Sequence, residues 1–329
     1  PRDLGGAHRA RPTRHGLMAG PDGAAPEAAR TVTVDELLEA STFPSPGCPL
    51  TCAVSGGPDS LALLALALAS GCDVTAIHVD HGLRPGSAAE GDVVADAAAR
   101  LGARFRGLRV DVGAGPNLEA RARAARLGVL PPESATGHTM DDQAETVLLN
   151  LLRGAGLDGL AGMRPGPGHP LLGIRRWQTH ALCAQLGLEP VDDPSNADGR
   201  FVRNRVRHEL LPLACAIAGR DLVPVLARQA ALLADEAGLL DELAEGIDPA
   251  DAEALTAAPA ALARRATRRW LRGASPHPPD LAAVERVLAV ARGVVPATDV
   301  APGVRVRRSQ GSLSSEPVAP EASGSVGAR

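Results

Sequence analysis

The chain has no lysine and no tyrosine, and among its 329 residues only three are phenylalanine and two are tryptophan. All 34 side chains in the lysine-plus-arginine count are therefore arginines. The missing lysine excludes the phosphate loop G-x-x-x-x-G-K-[ST], whose lysine reaches the terminal phosphates. The shortage of aromatics leaves a nucleic-acid base few stacking partners beyond arginine planes, Trp177 and Trp270. The five cysteines, Cys48, Cys52, Cys72, Cys183 and Cys215, include no C-x-x-C pair. That spacing argues against a zinc ribbon, a redox motif or a disulfide framework and fits a reduced cytoplasm. The apolar stretch from Leu61 to Ala69 falls far short of the ~20 residues of a membrane span and reads as a core helix. No signal peptide is evident. With a net charge of -4 there is no overall basic signature, so any contact with nucleic acid must rest on local arginine clusters.

The length ordinarily holds two domains, and 45% hydrophobic residues suffice for a globular core. Residues 1–30 lack apolar periodicity, so 1–45 is expected to be a largely disordered leader with one short helix in "TVDELLEA". A mis-set start, with Met18 nearer the true beginning, explains the same stretch equally well. Strands then alternate with helices: "LTCAV", a helix from Ser60, "DVTAIHV", a helix from about Ser87 to Leu101, a strand near "FRGLRVDV" and the helix "LEARARAARLGV". Such alternation implies βαβ units and a parallel sheet, with ligands bound beyond the carboxyl ends of its strands. The polar loops "SGGPDS", "DHGLRPGS" and "TGHTMDD" follow strands and are expected to converge on one site. Pro131 and Pro132 predict that the strand before "TGH" is curtailed. From about Arg220 the pattern turns helical, with "PATDVAPGVRVRRSQGSL" as a short hairpin. The expected fold class is α/β. A Rossmann-like parallel-sheet domain over 46–218 precedes a smaller, mainly α-helical substrate domain over 219–310 and a disordered tail over 311–329.

The loop Ser55, Gly56, Gly57, Pro58, Asp59, Ser60 can wrap phosphates with backbone N–H groups and aim a helix start at them. A carboxylate beside phosphates is repulsive unless a divalent cation lies between, so Asp59 points to Mg²⁺ on nucleotide oxygens. A plain strand-to-helix turn with an acid in the first helical turn is the alternative. His81 and His138 stand in the other two loops. Asp142 and Glu145 share a helix face and could bind a metal or a substrate ammonium, while Asp141 could simply cap that helix. Arg123 and Arg126, one turn apart, can face the phosphates, or belong to a solvated amphipathic face. Arg200, Arg203, Arg205, Arg207 and His208 cluster further on. Arg264, Arg265, Arg268, Arg269 and Arg272 share one helix face around Trp270 in a stretch without acids, which favours a phosphate backbone as partner.

Together these residues resemble the tRNA(Ile)-lysidine synthetase family of the PP-loop, or N-type, ATP pyrophosphatases. The likeness runs from about Leu50 to Leu213 through "SGGPDS", "HVDHGLRPGS", "NLEARARAAR", "TGHTMDDQAETVLLNLLRGAGLDGLAGM", "HPLLGIRR" and "DDPSNADGRFVRNRVRHELLP". The first motif is common to the PP-loop group, and the fourth and sixth are much more specific. The part after residue 220 is only loosely similar to the family's substrate-binding domain. The resemblance implies adenylation of the wobble cytidine's ring carbonyl in a CAU-anticodon tRNA(Ile), then displacement of AMP by the lysine ε-amine. ATP and Mg²⁺ are the implied cofactors, and tRNA(Ile) and free lysine the implied partners. By motif position, Ser55, Gly56, Gly57, Pro58, Asp59 and Ser60, with His81 and His138, would hold ATP, and Asp59 its metal. Arg123 or Arg126 would stabilise phosphates, and Asp142 with Glu145 would serve metal or lysine. Arg203, Arg205 and Arg207, with Arg264, Arg265, Arg268 and Arg269, would face tRNA. The chain departs from the family pattern at Thr139, where a second histidine is common, at Leu127, where an aromatic is usual, and at His169, where arginine is common. A 2-thiolating PP-loop enzyme, which needs paired thiols, and a nucleotide- and tRNA-binding protein without turnover stay open as alternatives. The sequence is compatible with a homodimer and does not fix the oligomeric state.

Overall fold

The computed structural model describes residues 31–82, 87–113, 118–191, 198–272 and 279–317, so residues 1–30 of the leader expected over 1–45 and the tail beyond 317 lie outside the described residues, while 31–45 is ordered against the first core through Val32 and Leu37. Helix α1 (Val34–Glu39) opens with a capping box between Thr33 and Glu36. Four parallel strands follow, β1 (Pro49–Ala53), β2 (Asp73–Asp80), β3 (Arg104–Arg109) and β4 (Ala135–Thr136), in the order β3-β2-β1-β4. The crossovers are α2 (Pro58–Ala69), α3 (Ser87–Leu101) and α4 (Leu118–Val129). Helix α2 is leucine and alanine on all sides, and Ser60 through Ala67 are all buried, as a helix apolar all round must be. It packs against β1, β2, α3 and α7 (Arg176–Gln185) in the first core. Each leucine enclosed there contributes about 1.5–3 kcal/mol. Trp177 lies partly buried against this core. The curtailed strand is observed as the two-residue β4.

Helix α5 (Met140–Leu152) begins after a three-residue loop from β4 and is followed by the single turn α6 (Leu157–Leu160). Its cap is Thr139, in a capping box with Asp142, rather than Asp141. Asp141 instead accepts from Arg175 Nε at 3.1 Å and from the Arg176 N–H at 2.8 Å. Helix α8 (Val202–Arg205) runs through a π-helical turn (Val206–Leu210) into α9 (Leu211–Ala218), which ends at Gly219 with φ +63°. A π-turn inserted in a helix is rare and frequent at functional sites.

The second domain comprises α10 (Val223–Glu245), α11 (Ala252–Ala257), α12 (Ala260–Arg272) and α13 (Leu281–Ala291). An antiparallel sheet, β5 (Ala297–Ala301), β6 (Val304–Ser309) and β7 (Ser312–Pro317), completes it. The domain is mainly helical as expected, and the expected short hairpin is extended to three strands. The expected tail yields, because residues 312–317 pair with β6 along their length. Serine-rich β7 has weak strand propensity, but its ladder and Leu313, buried in the second core with Val306, override that preference. Trp270 lies partly buried against this second core. No single helix among the described residues is long and apolar enough to cross a membrane.

Candidate active site

The three polar loops do converge. A cavity of about 1110 Å³ opens where β1, β2 and β4 end, and Ser55, Asp59, His81, Arg126 and His138 line it. The phosphate loop is braced from within. Ser60 Oγ donates to the Gly57 carbonyl at 2.8 Å and accepts from the Ser55 N–H at 3.2 Å and the Ser55 hydroxyl at 3.3 Å. Ser55 and Ser60 therefore shape the loop as well as face the cavity. Gly56 has φ +92°, and its carbonyl accepts from the Val191 N–H at 3.0 Å, which explains why a glycine stands there. Pro58 occupies the first helical turn and offers no N–H, so the loop's donors are its neighbours. Gly137 lets the loop after β4 touch this backbone, since a Cβ there would lie 2.7 Å from the Asp59 carbonyl oxygen.

Asp59 accepts from the Thr179 hydroxyl, and from Arg176 Nε at 3.5 Å. Burial pushes its pKa up by more than that hydrogen bond and the Arg176 charge pull it down. Its negative charge is thus short of compensation. Among the described residues no group of three or more His, Cys, Asp or Glu side chains could hold a metal ion. His81 is pushed down by burial first and then by the charge of Arg126. The side chain of Arg123 lies outside the described residues.

Asp142 and Glu145 share the expected face of α5, but three arginines hold them. Glu145, fully buried, takes Arg176 Nη1 at 3.0 Å and Arg207 Nε at 2.6 Å on Oε1. Its Oε2 takes Arg203 Nε at 2.9 Å and Arg207 Nη2 at 3.1 Å. Asp142 Oδ1 accepts from Arg176 Nη2 at 2.9 Å and Arg203 Nη2 at 3.1 Å, and its Oδ2 from the N–H and hydroxyl of Thr139, both at 2.9 Å. Each carboxylate oxygen has at least two donors, which uses its lone pairs. As arranged, every oxygen of both acids is engaged, so a metal or an ammonium could bind there only by displacing one of these donors. Burial alone would raise the Asp142 carboxyl, but Arg176, Arg203 and the Thr139 N–H outweigh it and hold the pKa at about 2.

Arg203 and Arg207 consequently face inward and line the cavity instead of an outer RNA surface, while Arg205 pairs with Glu209 at 3.0 Å. Arg176, which no sequence expectation assigned a role, is the centre of the cluster, with Asp59, Asp142 and Glu145 all in reach. The available signal was two arginines opening a helix, at the end the macrodipole makes unfavourable for cations.

The arginines of α12 also find acids, supplied by other helices. Arg265 bonds Asp158 at 2.7 Å and Asp241 at 2.6 Å, and Arg268 and Arg272 each reach Asp158 at 3.5 Å. Arg264 pairs with Glu285 at 2.5 Å, and Arg269 Nη2 donates to the Ala244 carbonyl at 3.2 Å. The acid-free stretch is therefore not an acid-free face.

Cys183 lines the cavity, and burial pushes its thiol up to about 12. Burial does the same to Cys52. Neither is poised as a thiolate, and Cys183 is the one thiol among the cavity's lining residues, against the paired thiols that sulfur delivery needs.

Residues 31–214 match the family model described as a PP-loop domain, and residues 251–314 match the TilS substrate binding domain. The tRNA(Ile)-lysidine synthase of Nocardia farcinica is 43% identical over 273 residues, 77% of this chain and 86% of that one. This chain belongs to the tRNA(Ile)-lysidine synthase family. Two more of its lysidine synthase relatives are those of Rhodococcus erythropolis, 46% identical over 235 residues (67% of this chain, 72% of that one), and Mycobacterium tuberculosis, 45% over 237 (66% and 73%). The PP-loop match contains the braced loop, the acidic helix and all three arginines that hold it.

Proposed function

We propose that ATP lies in the cavity with its phosphates along residues 55–60, and that Arg126, Arg176, Arg203 and Arg207 meet the charge that develops on them. The reaction is the ATP-dependent ligation of lysine to tRNA(Ile). The wobble cytidine's carbonyl oxygen attacks the α-phosphorus and the bond to the bridging oxygen breaks, so pyrophosphate leaves. The lysine ε-amine then bonds to the activated ring carbon as AMP departs and the amine gives up a proton. The observation that carries this reading is the guanidinium cluster, fixed by two buried carboxylates on the wall of a lysine-free phosphate site. Such preorganised charge stabilises a transition state without reorganising.

Asp59 would hold Mg²⁺, its under-compensated carboxylate offering an oxygen ligand. When bound, the ion neutralises phosphate charge. Lysine binding at Asp142 or Glu145 requires displacement of a guanidinium. Arg203, with its side chain 32% exposed against 22% for Arg207 and 20% for Arg176, is the least enclosed. For tRNA, Arg264 and Arg272 are exposed enough to meet phosphates, whereas Arg265 is 11% exposed and spoken for. The free cysteines suit a reduced cytoplasm.

The test is incubation with ATP, labelled lysine and CAU-anticodon tRNA(Ile). Folded protein that releases no AMP and incorporates no lysine overturns the reading. Asp59→Asn is expected to keep tRNA affinity and lose most turnover, with a melting temperature equal to or above that of the unsubstituted protein because an under-compensated, partly buried charge is gone. Full activity in that variant removes Asp59 from the metal role.

A further inference from the structure

The end of β4 carries a hydrogen-bonded group that the chemistry above does not use. The chain returns to cover this open sheet edge: the Thr136 N–H donates to the Gly168 carbonyl at 3.0 Å, beside an antiparallel bridge between Gly166 and His169. The Thr136 hydroxyl then has three polar neighbours, His138 Nδ1 at 2.7 Å, His169 Nδ1 at 2.8 Å and the Gly168 carbonyl at 3.1 Å. A hydroxyl has one proton and two lone pairs, and a carbonyl only accepts. The count closes when the hydroxyl donates to Gly168 and accepts an Nδ1–H from each imidazole. In that arrangement the lone pair of each neutral ring sits on Nε2. The rings meet edge to face, with centroids 5.2 Å apart and planes at 72°, which fixes their orientation. His138 lines the cavity, whereas His169 is not among the lining residues.

We propose that Thr136 and His169 are positioning residues that lock His138 in its Nδ1–H form, so that Nε2 takes the proton the lysine amine loses as it bonds to the activated base and AMP leaves. This rests on the functional reading above. It assigns His138 to the second half of the reaction and leaves the adenylation half to the loop and the arginines. No other reactant is needed: the C–N bond forms, the C–O bond to AMP breaks, and the proton passes to the imidazole and then to solvent.

The two halves separate in single-turnover measurements, pyrophosphate release from ATP and tRNA without lysine, and lysine incorporation when it is added. Thr136→Val, nearly isosteric and suited to a strand, is expected to slow lysine incorporation by about tenfold or more and to change pyrophosphate release by less than about twofold. Thr136→Ser restores the hydroxyl and most of the rate, and His169→Phe, which keeps the ring contact but loses the donor, falls between. In a His138→Ala background, Thr136→Val is expected to have an effect of less than about twofold, because nothing remains to position. An undiminished Thr136→Val effect in that background, or a His138→Ala variant with normal lysine incorporation, overturns the proposal. Absence of pyrophosphate release from the unsubstituted protein would instead sink the functional reading beneath it.

Discussion

Glu145 shows how much one side chain organises here. It is fully buried with four guanidinium contacts, so Glu145→Ala leaves like charges facing one another and is expected to lower stability by about 3–5 kcal/mol, the range for breaking a buried ion pair, as read by urea denaturation. Asp142 adds a pH dependence of definite sign. Its folded pKa of about 2 lies below the ordinary 3.8, so its contribution is present above pH 4 and lost as pH falls from about 4 to about 2. The amount is on the order of 2 kcal/mol, measurable as the loss of acid stability that Asp142→Asn abolishes. Asp59 works in the opposite sense, since burial raises it and its ionisation weakens the fold as pH rises. The phosphate loop and the acids of α5 were legible in the sequence because their meaning lies in local spacing. Arg176 was not, since its acid partners stand 31 to 117 positions away and no periodicity records that.

At the scale of elements, the contact between the loop after β4 and the phosphate loop depends on one missing side chain. Gly137→Ala would force a Cβ to 2.7 Å from the Asp59 carbonyl oxygen, so one of the two loops must move. Turnover is expected to fall by about a hundredfold, the scale set by a misplacement of ~1 Å, with melting temperature little changed. Unaltered turnover would show that the loops tolerate the shift. The helices and parallel strands followed from their apolar patterns, including the curtailed β4. β7 escaped detection because one leucine in a run of serines gives little alternation, and only its partner strand makes it a strand. The π-turn had no sequence signal either, although it lies within the helical run that brings Arg203 and Arg207 onto the same two acids.

Across the whole molecule, Asp158 joins the domains. It stands on α6 and receives Arg265, Arg268 and Arg272 from α12, while Arg265 also holds Asp241 on α10. Asp158→Ala is expected to cost on the order of 2 kcal/mol, between the exposed and buried limits for ion pairs. It should also free arginine charge on α12, so the salt slope of tRNA binding steepens in a filter-binding titration if that helix meets RNA. An unchanged slope places RNA contact elsewhere. The sequence showed these arginines as a stripe but not their partners, which come from segments more than 20 residues distant.

Trp177 rests against the first hydrophobic core and Trp270 against the second, and the chain has no other tryptophan and no tyrosine. Each half of the molecule therefore carries its own fluorophore on a nearly dark background. Thermal scans of Trp177→Phe and Trp270→Phe, read by emission, report the melting of one domain at a time. Coincident curves would mean that the ionic junction at Asp158 makes the two cores unfold as one, and separated curves would give each domain its own transition.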